Sequence, residues 1–272
     1  MPDSIEFKIN IADEAVREIL IALLSAAGAN GFEEEKGVLK AFIPADECDA
    51  SGVEEIIKEN NIKYSKSVIN EKNWNAEWES DFQPVLIGDF CTVRAIFHAA
   101  DNKVKHDIVI TPKMSFGTGH HATTHMMIEA MEGLDFKDKR VFDFGTGTGI
   151  LAILAEKCGS QNVTAIDNDA WSINNATENF NLNNCYSVLL SKQEGFCSGT
   201  CYDVILANIN RNIILQQLDQ IKQHLTNNGV VLLSGLLTGD EPVIIAEALR
   251  QNLVLQQKWE MDGWICLLMA NG

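Results

Sequence analysis

"DFGTGTGILAI", residues 143–153, sets three glycines at alternate positions directly behind a carboxylate and then runs into an apolar stretch. The residues before it, "RVFDF", read as a strand, and those after it, through Lys157, as a helix. A strand, a glycine turn and a helix form the repeating unit of an open parallel sheet. Such sheets bind ligands at the carboxyl ends of their strands, where the winding direction reverses. Read from Gly147, "GTGILA" also fits the dinucleotide pattern G-x-G-x-x-[GA], with Asp167 placed to hold ribose hydroxyls. Glycines alone do not choose the ligand.

Outward from this unit the alternation continues. "NVTAID" reads as a strand followed by a helix to about Phe180, and "YSVLLS" as another strand. "YDVILAN" precedes a helix over 211–225, and "GVVLLSG" one over 240–251. "LVLQQKWEMDGWICLLMA" predicts two strands turning at Asp262-Gly263, which puts an antiparallel strand at or near the sheet edge. The pattern predicts an α/β domain with a mixed sheet over 85–272, becoming regular from about residue 104.

Residues 1–70 read differently. "IEFKIN" alternates as a strand, and "ADEAVREILIALLSAAGA" is apolar at helical spacing and stops at Gly28. "GFEEE" and "GVLKAFIP" flank a turn at Lys36-Gly37, "CDASGVEEIIKENN" is a helix with Ser51 as its N-cap, and "IKYSKSVIN" closes the unit. The order βαββαβ is that of a small α+β ferredoxin-like domain. Between the two domains, "NWNAEWESDFQP" spaces Trp74, Trp78 and Phe82 four apart, predicting a helical linker over 71–84 that Pro84 ends.

Composition narrows the function classes. With 46% apolar and 22% charged residues the chain is a folded protein, and its net charge of −17 argues against DNA or RNA as the main partner. Acidity suits a basic protein partner. The N-terminus lacks a signal-peptide pattern and no apolar run approaches membrane length, so a cytoplasmic protein with no membrane partner is expected. The seven scattered cysteines read as reduced thiols. His121, His125 and Glu129 mimic a metal set on one helix face, but no metal is expected here.

Asp143 bears on the choice of ligand. A carboxylate beside the glycine turn repels a pyrophosphate, whereas S-adenosylmethionine carries a sulfonium and an ammonium that it attracts, directly or through water. Gly145, Gly147 and Gly149 let backbone approach such a ligand, and Asp167 accepts from both ribose hydroxyls. A nicotinamide dehydrogenase is the competing reading.

Four segments carry a family resemblance: "NWNAEWESDFQP", "PKMSFGTGHHATT" (112–124), "DFGTGTGILAI" with "AIDND", and "LANIN" followed by "LLSGLL". Over nearly its whole length the chain resembles the PrmA family, the bacterial ribosomal protein L-eleven methyltransferases. The resemblance implies a class I, Rossmann-like methyltransferase domain that uses S-adenosylmethionine, preceded by a substrate-recognition domain. It places cofactor contacts on Thr124, Gly145, Asp167 and Asn208. A loop of Phe116, Gly117, Thr118 and Gly119, with His121, would cover the cofactor. Asn208 is also the expected catalytic residue, its side-chain oxygen accepting a hydrogen bond from the attacking amine. The implied activity is methylation, up to trimethylation, of α-amino and lysine ε-amino groups of ribosomal protein L-eleven, free or on the large subunit. A monomer is expected. A related methyltransferase acting on another amine and a catalytically silent cofactor-binding scaffold are the alternatives. The chain departs from the family pattern at Lys113, Ala122, Thr146, Thr148 and Asn210.

Overall fold

The computed structural model describes residues 4–11, 13–29, 31–35, 37–44, 50–60, 62–69, 82–100, 103–111, 117–196 and 199–272. The chain forms two compact units, Met1–Asp81 and Phe82–Gly272.

The first unit runs β1 (Ser4–Asn10), α1 (Glu14–Ala26), β2 (Gly31–Glu35), β3 (Val38–Pro44), α2 (Ala50–Glu59) and β4 (Tyr64–Ile69). The strands pair antiparallel in the order β2-β3-β1-β4, the ferredoxin-like arrangement expected. Period two on β1 turns Phe7 and Ile9 onto the helices, where they are buried with Leu20, Leu24, Val53 and Ile57. Because α2 opens at Ala50, Ser51 lies inside its first turn and is not the capping residue.

Residues 70–81, with Trp74 and Trp78 of the expected linker helix, lie outside the described residues. Phe82 does not continue a helix. It is buried in the core of the second unit, stacked on His98 and edge-on to His120. The sequence also gave no warning of a small sheet that follows, β5 (Val85–Ile87), β6 (Cys91–Ala95) and β7 (His106–Ile110). Its β6–β7 pair is parallel and is stitched by Arg94, whose Nε and Nη2 each donate to Asp107 at 2.8 Å.

Helix α3 (Ala122–Glu132) precedes the main sheet, which is built from β8 (Arg140–Phe144), β9 (Asn162–Asp167), β10 (Val188–Lys192), β11 (Tyr202–Asn208), β12 (Leu225–Leu237), β13 (Leu253–Met261) and β14 (Trp264–Asn271). Helices α4 (Ile150–Lys157), α5 (Ala170–Leu182), α6 (Arg211–Gln223) and α7 (Glu241–Arg250) connect them. Strand order is β10-β9-β8-β11-β12-β14-β13. All neighbours are parallel except β14, which runs against both β12 and β13. Asp262 (φ 50°) and Gly263 (φ 78°) form the two-residue turn between the last two strands, as the Asp-Gly pair predicts.

One face of the sheet packs on α3, α4 and α5 through residues such as Met127, Ile153 and Phe180, the other on α6 and α7 through Ile214, Leu218 and Ile244. Alternation along β8 sends Phe142 and Phe144 to the second face and Val141 to the first. Asp143 therefore shares the α4 face, buried at the foot of the glycine turn. The winding reverses between β8 and β11, which are adjacent, and this brings Gly145 and Asn208 together.

Cys91, Cys158, Cys185, Cys201 and Cys266 are free thiols. Burial pushes Cys91 up to about 12 and Cys158 and Cys185 up to about 11, so these three stay protonated and inert at neutral pH. No described helix is long and apolar enough to cross a membrane.

Candidate active site

A cavity of about 440 Å³ opens at the carboxyl edge of the sheet. Gly117, His121, Thr124, Gly145, Gly147, Asp167 and Asn208, all expected from the sequence, line it. Phe116 and Lys113 lie outside the described residues.

Asp167 ends β9 with its carboxylate held by backbone. Oδ2 accepts from the Gly147 N–H at 2.9 Å and Oδ1 from the Asp169 N–H at 3.0 Å. Each oxygen keeps a second lone pair, and the two backbone donors fix the orientation of the carboxylate. Gly145 must be glycine for steric reasons: a Cβ there would stand 2.5 Å from Ile209 Cγ2, and its φ is 73°.

Besides Gly119, three expected site residues do not line the cavity. Gly149 (φ 82°) opens α4, and its missing Cβ makes room for Phe180, whose Cε1 would be 2.6 Å away. Helix packing by itself requires a glycine here. Thr118 turns its hydroxyl to His120 Nδ1 at 3.3 Å, and His120 Nε2 meets the Gln83 carbonyl at 2.9 Å. Asp143 is the third: it is 1% exposed and reaches the cavity wall through Thr146, whose hydroxyl donates to Oδ2 at 2.5 Å. Its Oδ1 is buried without a hydrogen-bond partner. Burial pushes this carboxyl up to about 7, against the downward pull of the Thr146 hydroxyl, and Asp167 adds to the rise. The expected repulsion of pyrophosphate thus acts at reduced strength. A cation beside this carboxyl would favour its ionised form.

Asn208 ends β11. Its Nδ2 donates to Thr124 Oγ1 at 3.2 Å, and its Oδ1 is buried with no donor. An unpaired buried amide oxygen costs free energy until something donates to it. His121 caps α3, its Nδ1 2.8 Å from Thr123 Oγ1, and its ring meets Trp264 edge-on at 4.8 Å between centroids. His121 thus precedes the first turn of α3, whereas His125 and Glu129 lie within the helix. Among the described residues no group of three or more His, Cys, Asp or Glu is placed to hold a metal.

A family model described as ribosomal protein L11 methyltransferase (PrmA) matches residues 8–271. The chain belongs to the PrmA family. The ribosomal protein L11 methyltransferase of Porphyromonas gingivalis is 37% identical over 262 residues, covering 93% of this chain and 90% of that protein. That of Chlorobaculum parvum is 42% identical over 251 residues, covering 85% and 84%. A solved ribosomal protein L11 methylase from Lactobacillus delbrueckii subsp. bulgaricus superposes with a TM-score of 0.66 at 28% identity, covering 70% of this chain and 99% of that one. The fold is that of a class I methyltransferase, and S-adenosylmethionine is the family's methyl donor.

Two departures from the PrmA pattern now have physical accounts. Asn210 lines the cavity mouth, but its side chain caps α6 by accepting from the Ile213 N–H at 3.1 Å. Thr146 supplies the hydroxyl that binds Asp143. Several lining residues escaped sequence reading, among them Gln193, Glu194 and Trp264. The first two follow β10, and the rule of carboxyl strand ends points to them. Trp264 starts β14, which runs antiparallel and so begins where the parallel strands end; only the strand order reveals it.

Proposed function

We propose that this chain methylates amino groups of ribosomal protein L11, at its N-terminal α-amine and at lysine side chains, with the cavity holding S-adenosylmethionine. The observation that carries this reading is Asn208, with its Nδ2 committed to Thr124 and its Oδ1 free of any donor. When bound, S-adenosylmethionine supplies a methyl group on a sulfonium.

The residues suit the cofactor. Asp167 would take the ribose hydroxyls, Gly145 and Gly147 the close backbone approach, and Thr146 with Asp143 the positive amino-acid end. Free lysine has a pKa of about 10.4 and an α-amine about 8, so at pH 7 roughly one lysine in a few thousand is neutral. The site must favour the neutral amine. Desolvation does so, and Asn208 Oδ1 accepts one of its remaining N–H bonds, which directs the nitrogen lone pair away from it. After Asn208 come Ile209, Asn210 and Arg211, without the prolines and tyrosine that grip a planar amide or base, which suits an sp³ nitrogen. Trp264 and His121 give the cavity an aromatic wall, and aromatic faces favour the cationic methylated product.

Replacing Asp167 with alanine removes the oriented acceptor and should raise the cofactor dissociation constant by roughly 10- to 150-fold, the range for charge-assisted hydrogen bonds. Calorimetry giving an unchanged constant would remove Asp167 from the site.

The first unit is read as the substrate-recognition domain. Residues 1–64 carry 14 Asp and Glu against 6 Lys and Arg, a net of −8, which suits a basic ribosomal protein. A chain starting at Phe82 is expected to bind S-adenosylmethionine almost normally and to methylate the ribosomal protein poorly, since the lost docking lowers the local concentration of target amines. Added salt should weaken the full chain's KM in the same direction. Full activity of the shortened chain at equal concentrations would put recognition in the second unit.

A further inference from the structure

Helix α5 carries Asn175 and Asn179, and Asn183 is its C-cap; the three are spaced four apart and all are buried. Asn183 treats β7 as a neighbouring strand would: its Oδ1 accepts from the Val109 N–H at 2.9 Å and its Nδ2 donates to the Val109 carbonyl. Asn179 joins two segments that are distant in sequence. Its Oδ1 accepts from the Thr111 N–H at 2.8 Å, and its Nδ2 donates to the Thr148 carbonyl at 2.8 Å. Thr148, fully buried in the glycine turn, in turn donates its hydroxyl to the Gly117 carbonyl at 2.7 Å.

Gly117 lines the cavity, and the chain passes directly from it to His121 and Thr124, the partner of Asn208. Neither Thr148 nor Asn179 lines the cavity. We propose that the Thr148 hydroxyl, with its backbone fixed by Asn179, is a positioning element that sets the Gly117 wall against the glycine turn and so controls how long the cofactor stays bound. The inference rests on the reading of this cavity as the S-adenosylmethionine site. The hydroxyl is the relevant group, since it alone makes the bond to the Gly117 carbonyl. The link acts through one backbone carbonyl, so its loss frees one wall without touching Asp167 or Asn208.

The test compares Thr148→Val, which keeps the shape, with Thr148→Ser, which keeps the hydroxyl, in the full chain. S-adenosylmethionine binding is followed by calorimetry and its dissociation by the fluorescence of the cavity tryptophan. Thr148→Val is expected to speed dissociation and raise the dissociation constant about tenfold, with the far-ultraviolet spectrum unchanged, and Thr148→Ser is expected to restore both. If Thr148→Val does not fold, Thr148→Ala removes the same hydroxyl without adding a methyl group at its place. Wild-type dissociation rates in a folded Val or Ala variant overturn the proposal, as does a Ser variant impaired as much as the Val variant. Failure of the wild-type protein itself to bind S-adenosylmethionine would instead overturn the cofactor reading.

Discussion

Turnover should fall by about a hundredfold when Asn208 becomes alanine, with the cofactor dissociation constant moving no more than a few-fold. The asymmetry follows from geometry. The Asn208 amide is pinned by Thr124 on its nitrogen side, and its buried oxygen has no donor, which leaves it open to one that the second substrate would bring. Losing that acceptor misaligns the amine, and misalignment of a reacting atom by about 1 Å costs on the order of 10² in rate. Single-turnover kinetics with saturating cofactor separates the effects. Equal losses in turnover and in cofactor binding would confine Asn208 to a cofactor role, and Asn208→Asp should not rescue it, because the new charge would hold the amine as an ammonium.

Asp143→Asn should weaken S-adenosylmethionine binding by about 10- to 100-fold at pH 8, the range for losing a charged partner, without lowering the melting temperature. The second half distinguishes it from an ordinary core mutation. The folded-state value near 7 lies above the unfolded value of about 3.9, so the folded chain binds the extra proton between the two. Stability contributed by this group is therefore present at low pH and lost as pH rises toward 7. Above that, the native protein carries a buried charge that asparagine removes. The same sign governs binding. In wild type the dissociation constant should fall as pH rises from 6 to 8 and then level, because binding a cation displaces the proton. The Asn variant should lack that dependence. A flat wild-type profile would show that Asp143 does not sense the ligand.

Much of this was legible in the sequence because it depends on local patterns. Strand–glycine–helix at 140–157, Asp167 at the end of "NVTAID" and the Asp-Gly turn at 262–263 each follow from short-range periodicity and turn chemistry. Where reading by residue type went astray, tertiary packing had decided. Gly149 looks like Gly145 in the motif, yet it is glycine because Phe180 occupies the space of its side chain. Asp143, expected close under the ligand, is fully enclosed at the foot of the glycine turn, since alternation along β8 fixes which face it takes but not its depth. Trp264 and Thr148 lacked any signal of their own. One reaches the cavity only through the reversed direction of β14, the other acts only through the carbonyl of Gly117. The β5–β7 sheet is too short and irregular for periodicity to resolve, and a cross-strand Arg94–Asp107 pair helps to hold it.

The most direct measurement is mass spectrometry of ribosomal protein L11 after incubation with this protein and S-adenosylmethionine. The account predicts successive single-methyl increments that map to the N-terminal amine and to lysine side chains, and that disappear with Asn208→Ala. An unmodified ribosomal protein in the presence of enzyme shown to bind S-adenosylmethionine would contradict it, as would methyl groups found only on side chains without an amine.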